Sequence, residues 1–336
     1  MKIHYISHHS ILEYDEVQLL LDLGHEVFSN GAYLDPDGHI SHPRPGLRGA
    51  KFYSNYAELA RTTPKTDMPK ELIDPFDLII VMHSPDVLIQ NWPKLKDKPV
   101  IWRSIGQSTP QIEAKLKPLK KDGLKIMRYS PKERNLEGYI GEDAMIRFYK
   151  DEKVYDGWLG DTEDVVNFSQ SLLGRRDFCH YDEIMSVIET FDGKVYGPGN
   201  EDLGKHFGGE VPYEQQLEIM RQSRVMVYGG TWPAPYTLGF IEAMMMGLPI
   251  VSISKKTAHV KEFQPIDFFE VDEILGKVSG VVCDNTEEMI SQTRKLVENP
   301  NHAKNLSERQ RELAVEMFGK KNISAQWKEM LDGIRG

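Results

Sequence analysis

Between Thr237 and Ile253 the residue types and their spacing suit a phosphorylated ligand. Leu238, Ile241, Met245 and Leu248 recur at three- and four-residue steps and draw one apolar helix face. Thr237 stands at the N-cap position and Gly247 where the helix must stop. Leu248 to Ile253 then runs as a short apolar strand, of the kind covered on both faces of a parallel sheet. A helix N-terminus opening at the rim of such a sheet presents unbonded N–H groups and a partial positive charge, which suit a diphosphate. Glu242 follows one turn later, from where its carboxylate can turn to a ribose. The competing reading is that any helix–loop–strand unit of an α/β protein repeats much of this pattern, and that a lone helical Glu is ordinarily a solvated group.

The segment from Pro233 to Ser254 resembles the donor-nucleotide signature of retaining, two-domain glycosyltransferases of the GT-B fold, especially family 4 (glycosyl transferases group 1). The family pattern is Glu, seven residues and Glu, continuing into Ala-Met and Gly-x-Pro-Val. Glu242-Ala-Met, Gly247-Leu-Pro249 and Ile250-Val251 match its second half. The first half departs from it. Ala234 replaces the first Glu, which in the family contacts the transferred sugar, and Pro235 and Thr237 replace glycines around the aromatic position, here Tyr236. The backbone N–H groups of Thr237 and Leu238 would still face a phosphate, a role that needs no side chain.

The resemblance implies a nucleoside-diphosphate sugar as donor, UDP-sugar favoured, with a hexose transferred under retention and no metal or other cofactor required. It also marks Gly174-Arg-Arg176, where a basic residue reaches the diphosphate. Arg175 and Arg176 are therefore candidate catalytic cations, the alternative being surface ion pairs. Tyr181 stands where the family's following Lys would be. Gly197 and Pro198, in Lys194-Val-Tyr-Gly-Pro-Gly199, and Tyr213 are candidates for packing against the base, with plain turn and helix-start roles as the alternative.

These residues need strands to carry them. Apolar runs are expected as strands at Ile3–Ser7, Glu26–Ser29, Leu78–Met82, Val100–Ser104, Lys125–Tyr129 and Met145–Tyr149, then at Val165–Ser169, Lys194–Tyr196, Val225–Tyr228, Ile250–Ile253 and Gly280–Cys283. Helical stretches alternate with them, so the fold class expected is α/β, two successive parallel sheets with right-handed connections. Met1-Lys-Ile-His-Tyr-Ile with Leu19–Val27 resembles the opening of an amino-terminal GT-B domain. Val211–Met220 with Ser223–Val227 resembles the helix and strand before the glutamate motif. The organisation implied is two Rossmann-like domains facing across a cleft. Residues 1–156 would bind acceptor, 157–316 would bind donor, and 317–336 would form a helix packing back on the first domain. Asp151 to Asp161, rich in charge and glycine, is the candidate linker.

Ligands of open α/β sheets settle at the carboxyl ends of the strands. In the first half this selects His8, His9 and Ser10 after the first strand, His83 after the third, and Arg103 and Gln107 after the fourth. His83 is the candidate catalytic residue, meeting the donor sugar or lying near the transferred group, with a satisfied strand-end histidine as the alternative, and the others are acceptor-side candidates. Adjacent histidines diverge and no carboxylate is spaced to complete a metal site, so no metal is expected.

The chain's 336 residues, 40% apolar and 27% charged, suit two ordinary globular domains. Cys179 and Cys283 are too few and too distant for a disulfide framework and fit a reducing compartment. No secretion signal follows Met1 and no run approaches a membrane span, so a cytoplasmic location is expected. The net charge of -10 argues against general adhesion to nucleic acid or membrane. From Lys94 to Arg134, however, twelve Lys or Arg face four acids, a local balance of +8. That segment is either a solvated face or a footprint for a polyanionic acceptor such as DNA, an anionic lipid surface or an acidic glycan. Two other function classes remain open: an epimerase of nucleotide sugars on the same fold, and a non-catalytic nucleotide-sugar binding module, which Ala234 motivates.

Overall fold

The computed structural model describes residues 1–34, 44–49, 53–258 and 268–335. The chain divides into two compact units, residues 1–149 with 320–336, and residues 150–319. Each is an α/β layer structure around a six-stranded parallel sheet.

In the first unit the strands are β1 (Lys2–Ile6), β2 (Glu26–Asn30), β3 (Leu78–Met82), β4 (Val100–Arg103), β5 (Lys125–Arg128) and β6 (Ala144–Met145). Helices α1 (Ser10–Asp22), α2 (Ser54–Thr62), α3 (Pro85–Leu95) and α4 (Pro110–Lys121) connect them. The order is β2-β1-β3-β4-β5-β6, so the chain reverses its direction of travel across the sheet between β1 and β3. All five residues of β3 are buried, as an unbroken apolar run demands when helices cover both faces. The expected strand at Met145–Tyr149 shrinks to a two-residue edge pairing. Phe148 instead packs its ring on Tyr129 at 5.1 Å and beneath the Arg103 guanidinium at 4.1 Å, so its apolar character serves packing rather than a ladder.

Charge is buried in this sheet. Arg103, fully buried, donates to Glu16 at 2.6 and 2.8 Å and to the Arg128 carbonyl at 3.1 Å. Arg128 forks onto Glu113, both bonds at 2.8 Å, the bidentate geometry that suits a planar guanidinium. The acceptor-side role expected of Arg103 is therefore corrected: its donors hold helix α1 to the sheet. The basic segment is corrected in the same way. Arg103 and Arg128 point inward, while Lys94, Lys115, Lys125 and Arg134 pair with Asp67, Asp86, Asp143 and Glu142. These four acids all lie outside the run, so +8 overstates the field a polyanion would meet.

The second unit holds β7 (Val165–Phe168), β8 (Lys194–Tyr196), β9 (Phe207–Gly209), β10 (Val225–Tyr228), β11 (Ile250–Ile253) and β12 (Val281–Cys283). Its order, β12-β11-β10-β7-β8-β9, reverses between β7 and β10. Helices α5 (Arg176–Cys179), α6 (Tyr181–Thr190), α7 (Tyr213–Gln222), α8 (Leu238–Met246), α9 (Val271–Gly276), α10 (Thr286–Glu298) and α11 (Pro300–Phe318) belong here, and α12 (Lys320–Arg335) belongs to the first unit. Strand β9, unforeseen, carries Phe-Gly-Gly and so has no strand-like composition. Residues 150–156 are built into this second unit, although the charge and glycine of that stretch read as linker. Among the described residues no helix is long and apolar enough to cross a membrane.

Candidate functional site

In open parallel sheets the reversal of strand order opens a crevice between neighbouring loops. In the second unit those loops follow β7 and β10, and the latter leads into α8. Residues Phe240 to Met246 are all buried, which seats the helix firmly on the sheet. Gly247 ends it at φ 85°, and a Cβ there would come within 2.7 Å of the Ser307 hydroxyl. Only glycine fits both demands.

The start of α8 differs from the sequence expectation in detail. Thr237 occupies the N-cap position, but its side chain makes no capping bond. Its N–H donates to the Tyr228 hydroxyl at 2.8 Å, and that hydroxyl donates to Thr237 Oγ1 at 3.2 Å. Burial pushes the Tyr228 phenol far up, so it stays protonated. Thr237 is thereby removed as a phosphate donor. The N–H groups of Leu238 and Gly239, which lie beyond it in the unsatisfied first turn, have no hydrogen-bond acceptor among the described residues. A Cβ placed on Gly239 would lie 4.0 Å from the Phe168 carbonyl, so this helix start stands at the end of β7.

Tyr236 and Glu242 take internal roles. Tyr236 is 3% exposed, with its ring 5.6 Å from Phe318 and 6.0 Å from Phe240, a core position rather than a ligand contact. Glu242 is buried, and its Oε1 accepts from Lys150 Nζ at 2.6 Å and from the Tyr155 hydroxyl at 2.9 Å. Gln216 Nε2 donates to Oε2 at 3.4 Å, and Tyr213 donates its hydroxyl to that of Tyr155 at 3.3 Å. The carboxylate expected to meet a ribose thus ties the 150–155 segment and α7 to α8. Tyr213, expected against a base, ends this chain of hydroxyls.

The two arginines separate. Arg176 is exposed, paired with Asp182 and stacked on Tyr181 at 4.6 Å, which corrects its assignment to a surface ion pair. Arg175 is half-buried and enters no ion pair among the described residues. Its segment is held at the rim, because Phe178 accepts the Trp232 N–H at 2.8 Å on the loop that leads to α8. Gly197 and Pro198 lie in the neighbouring loop. Asn200, fully buried, fixes them by donating to Gly197 and Ser169 carbonyls at 2.9 and 2.6 Å while accepting from the Leu172 N–H at 2.7 Å. A Cβ on Gly197 would sit 2.7 Å from the Ser169 carbonyl, so these loops approach as closely as glycine allows. Beside the α8 entry, a cavity of about 330 Å³ is lined by His180, Thr231, Trp232, Ala234, Lys255 and Phe269 among others.

The first unit's reversal lies between β1 and β3, and His8 and His83 follow those strands. His83 has φ 47° and a buried Nδ1 without a hydrogen-bond partner among the described residues. Burial lowers its affinity for a proton, and His8 lowers it further. His9 accepts the Leu12 N–H at 3.4 Å and so caps α1, while Ser10 is that helix's first residue. Both thus have a local role at the start of α1. Gln107 is half-buried in the loop after β4. Lys65, Lys150, Tyr155 and Asn200 were not foreseen. Lys65, Lys150 and Tyr155 find partners at least 58 positions away, and Asn200 reaches back to Ser169 and Leu172 across its loop.

No protein-family model matches this chain, and no characterised protein matches it by sequence. Solved structures do. The HepE protein of Anabaena in complex with UDP aligns with a TM-score of 0.68 at 12% identity, covering 99% of this chain and 100% of that one. A sucrose-phosphate synthase of Thermosynechococcus elongatus gives 0.67 at 15%, covering 99% of each. A glycosyltransferase of Rickettsia africae gives 0.66 at 11%, covering 99% and 98%. At such identities the likeness is one of architecture, and it agrees with the two parallel six-stranded sheets: the chain has the fold of the GT-B glycosyltransferases.

Proposed function

We propose that the protein transfers a hexose from a nucleoside-diphosphate sugar, UDP-sugar favoured, to an acceptor with retention at the anomeric carbon and without a metal. The observation that carries this reading is the pair of unbonded N–H groups of Leu238 and Gly239 at the reversal of the second sheet, with Arg175 in the adjoining loop. Such a group matches the negative charge that grows on a leaving diphosphate, and the match strengthens as the bond breaks, which is what rate enhancement requires. The acceptor proton passes to the leaving phosphate. The second unit would then hold the donor and the first the acceptor. The HepE protein, also solved with UDP-glucose, lends support to the choice of base.

A thermal-shift series with nucleoside diphosphates and their sugars tests the reading. A cognate donor at 100 times its Kd raises stability by about 2.7 kcal/mol, and a series with no shift overturns the proposal. Ala234 favours a second reading, donor binding without transfer, since it leaves an apolar wall where resemblance expects a sugar-binding carboxylate. A thermal shift accompanied by no product on any acceptor, and no release of UDP, would select it.

A further inference from the structure

At the reversal of the first sheet, two histidines and a lysine are gathered at the ends of β1 and β3. Ile6 pairs with Val81, so two further residues bring His8 and His83 to the same height beyond their strands. Ser7 Oγ lies 3.5 Å from Met82 Sδ between them. His83 is held in the left-handed region by its strand end, its N–H donating to the Arg103 carbonyl at 2.9 Å. A residue with a Cβ adopts that conformation at a cost, and such costs gather at binding sites. Its Nδ1 is buried with no partner among the described residues.

Lys65 arrives from beyond α2. It is half-buried, and its ammonium donates to the Ser7 carbonyl at 2.9 Å, which occupies one of three donors. The acid in its field is Glu13, whose oxygens already accept from Ser29 Oγ at 2.7 Å, Ala32 N–H at 2.9 Å and Tyr33 N–H at 3.1 Å. Burial lowers the proton affinity of Lys65 and His8, and the Lys65 charge lowers that of His8 further. The Glu13 carboxylate is taken up by its own three donors, so two Lys65 donors and the buried His83 Nδ1 remain to meet an oxyanion.

We propose that Lys65, His8 and His83 form an oxyanion subsite, which takes a carboxylate or phosphate group of the acceptor. The term acceptor rests on the reading above; the subsite rests on its own residues.

The test uses the full chain with isotope-labelled histidine, titrated with inorganic phosphate and, in parallel, with acetate. Phosphate should move the imidazole resonances of His8 and His83, assigned from His8→Gln and His83→Gln. Lys65→Met should weaken phosphate about tenfold or more, the loss of one charged hydrogen bond, and Lys65→Arg should retain it. A response to acetate of similar strength assigns a carboxylate, and a response to phosphate alone assigns a phosphate group. Unmoved resonances in the folded protein, or equal phosphate affinity in Lys65→Met, overturn the subsite. UDP should raise the Tm of Lys65→Met as much as that of the wild type. Loss of the UDP shift in the wild type, with the phosphate response intact, removes the donor reading and leaves the subsite standing.

Discussion

The two sheets reverse strand order in the same way, yet they furnish their crevices from different parts of the chain. At the β1/β3 reversal the groups on offer are side chains, His8, His83 and Lys65, and the adjacent helix start is closed by His9. At the β7/β10 reversal the helix start carries no side-chain cap, and Arg175, which enters no ion pair among the described residues, lies in the adjoining loop. If both proposals hold, a repeated architecture meets anions in two ways. A backbone site tolerates changes of residue and keeps its charge at any pH, whereas a side-chain site can be removed by one substitution and varies with protonation.

The largest expected effect concerns the frame of the open helix start. Lys150→Met leaves the buried Glu242 carboxylate without its cation, although Tyr155 and Gln216 still donate to it, which should cost about 3–5 kcal/mol, read from urea unfolding. Replacing Glu242 by Gln in that background should restore much of the loss. A small cost for Lys150→Met alone would show that the pair does not secure α8.

Next comes pH, which should act through the first unit. His4 lies in β1 between Phe28 and Phe76, with Nδ1 2.8 Å from the Leu72 carbonyl and Nε2 facing Asn30. Burial lowers its pKa from 6.5 to about 4. The folded state therefore disfavours the proton. The stability this contributes is complete above pH 6.5 and is lost as pH falls through about 4, close to 3 kcal/mol at 1.36 kcal/mol per unit. Chemical unfolding across that window should show the slope, and a His4→Asn variant should lack it.

Leu238→Pro addresses the backbone donors directly. Proline is favoured at the first helical position, and Thr237 already has the extended conformation, φ -104° and ψ 169°, that must precede it. One N–H is deleted while the helix persists. Calorimetry should find UDP bound more weakly by about 1.5–3 kcal/mol, the worth of a hydrogen bond to a charged group. Arg175→Ala should weaken UDP by about 1 kcal/mol or more, while Arg176→Ala should stay within about 0.5 kcal/mol of wild type, as exposed ion pairs do. Equal effects would erase the distinction drawn between the two. Smallest of all, Thr237→Ala should shift stability less than His9→Ala, because only His9 performs a cap, worth roughly 1 kcal/mol.

Much of the frame was legible because strands buried on both faces must be apolar runs, and Leu78–Met82, Lys194–Tyr196, Val225–Tyr228 and Ile250–Ile253 are found at those residues. The helix stop at Gly247 was legible for a similarly local reason. What the spacing could not convey was who occupies each polar group. Glu242 sits 92 positions from Lys150, and Thr237's N–H is taken by a tyrosine on the preceding strand. The charge of the basic run is lowered for the same cause, since Glu16, Asp67, Asp86 and Asp143 pair with it from outside. Nothing nearby distinguishes Arg175 from Arg176 until Asp182 folds onto the second.

The chain enters the second unit at Lys150 and leaves it at Gly319, and those two ends touch: the Lys150 N–H donates to the Phe318 carbonyl at 3.1 Å, and Lys150 bridges Gly319 in parallel. The unit is thus an uninterrupted cassette with joined ends, whereas its companion is assembled from two separate stretches of sequence. Adjacent ends are the condition under which a domain can be excised or circularly permuted. Residues 150–319 should be expressible alone, giving the proposed donor recognition a carrier in which it can be measured by itself.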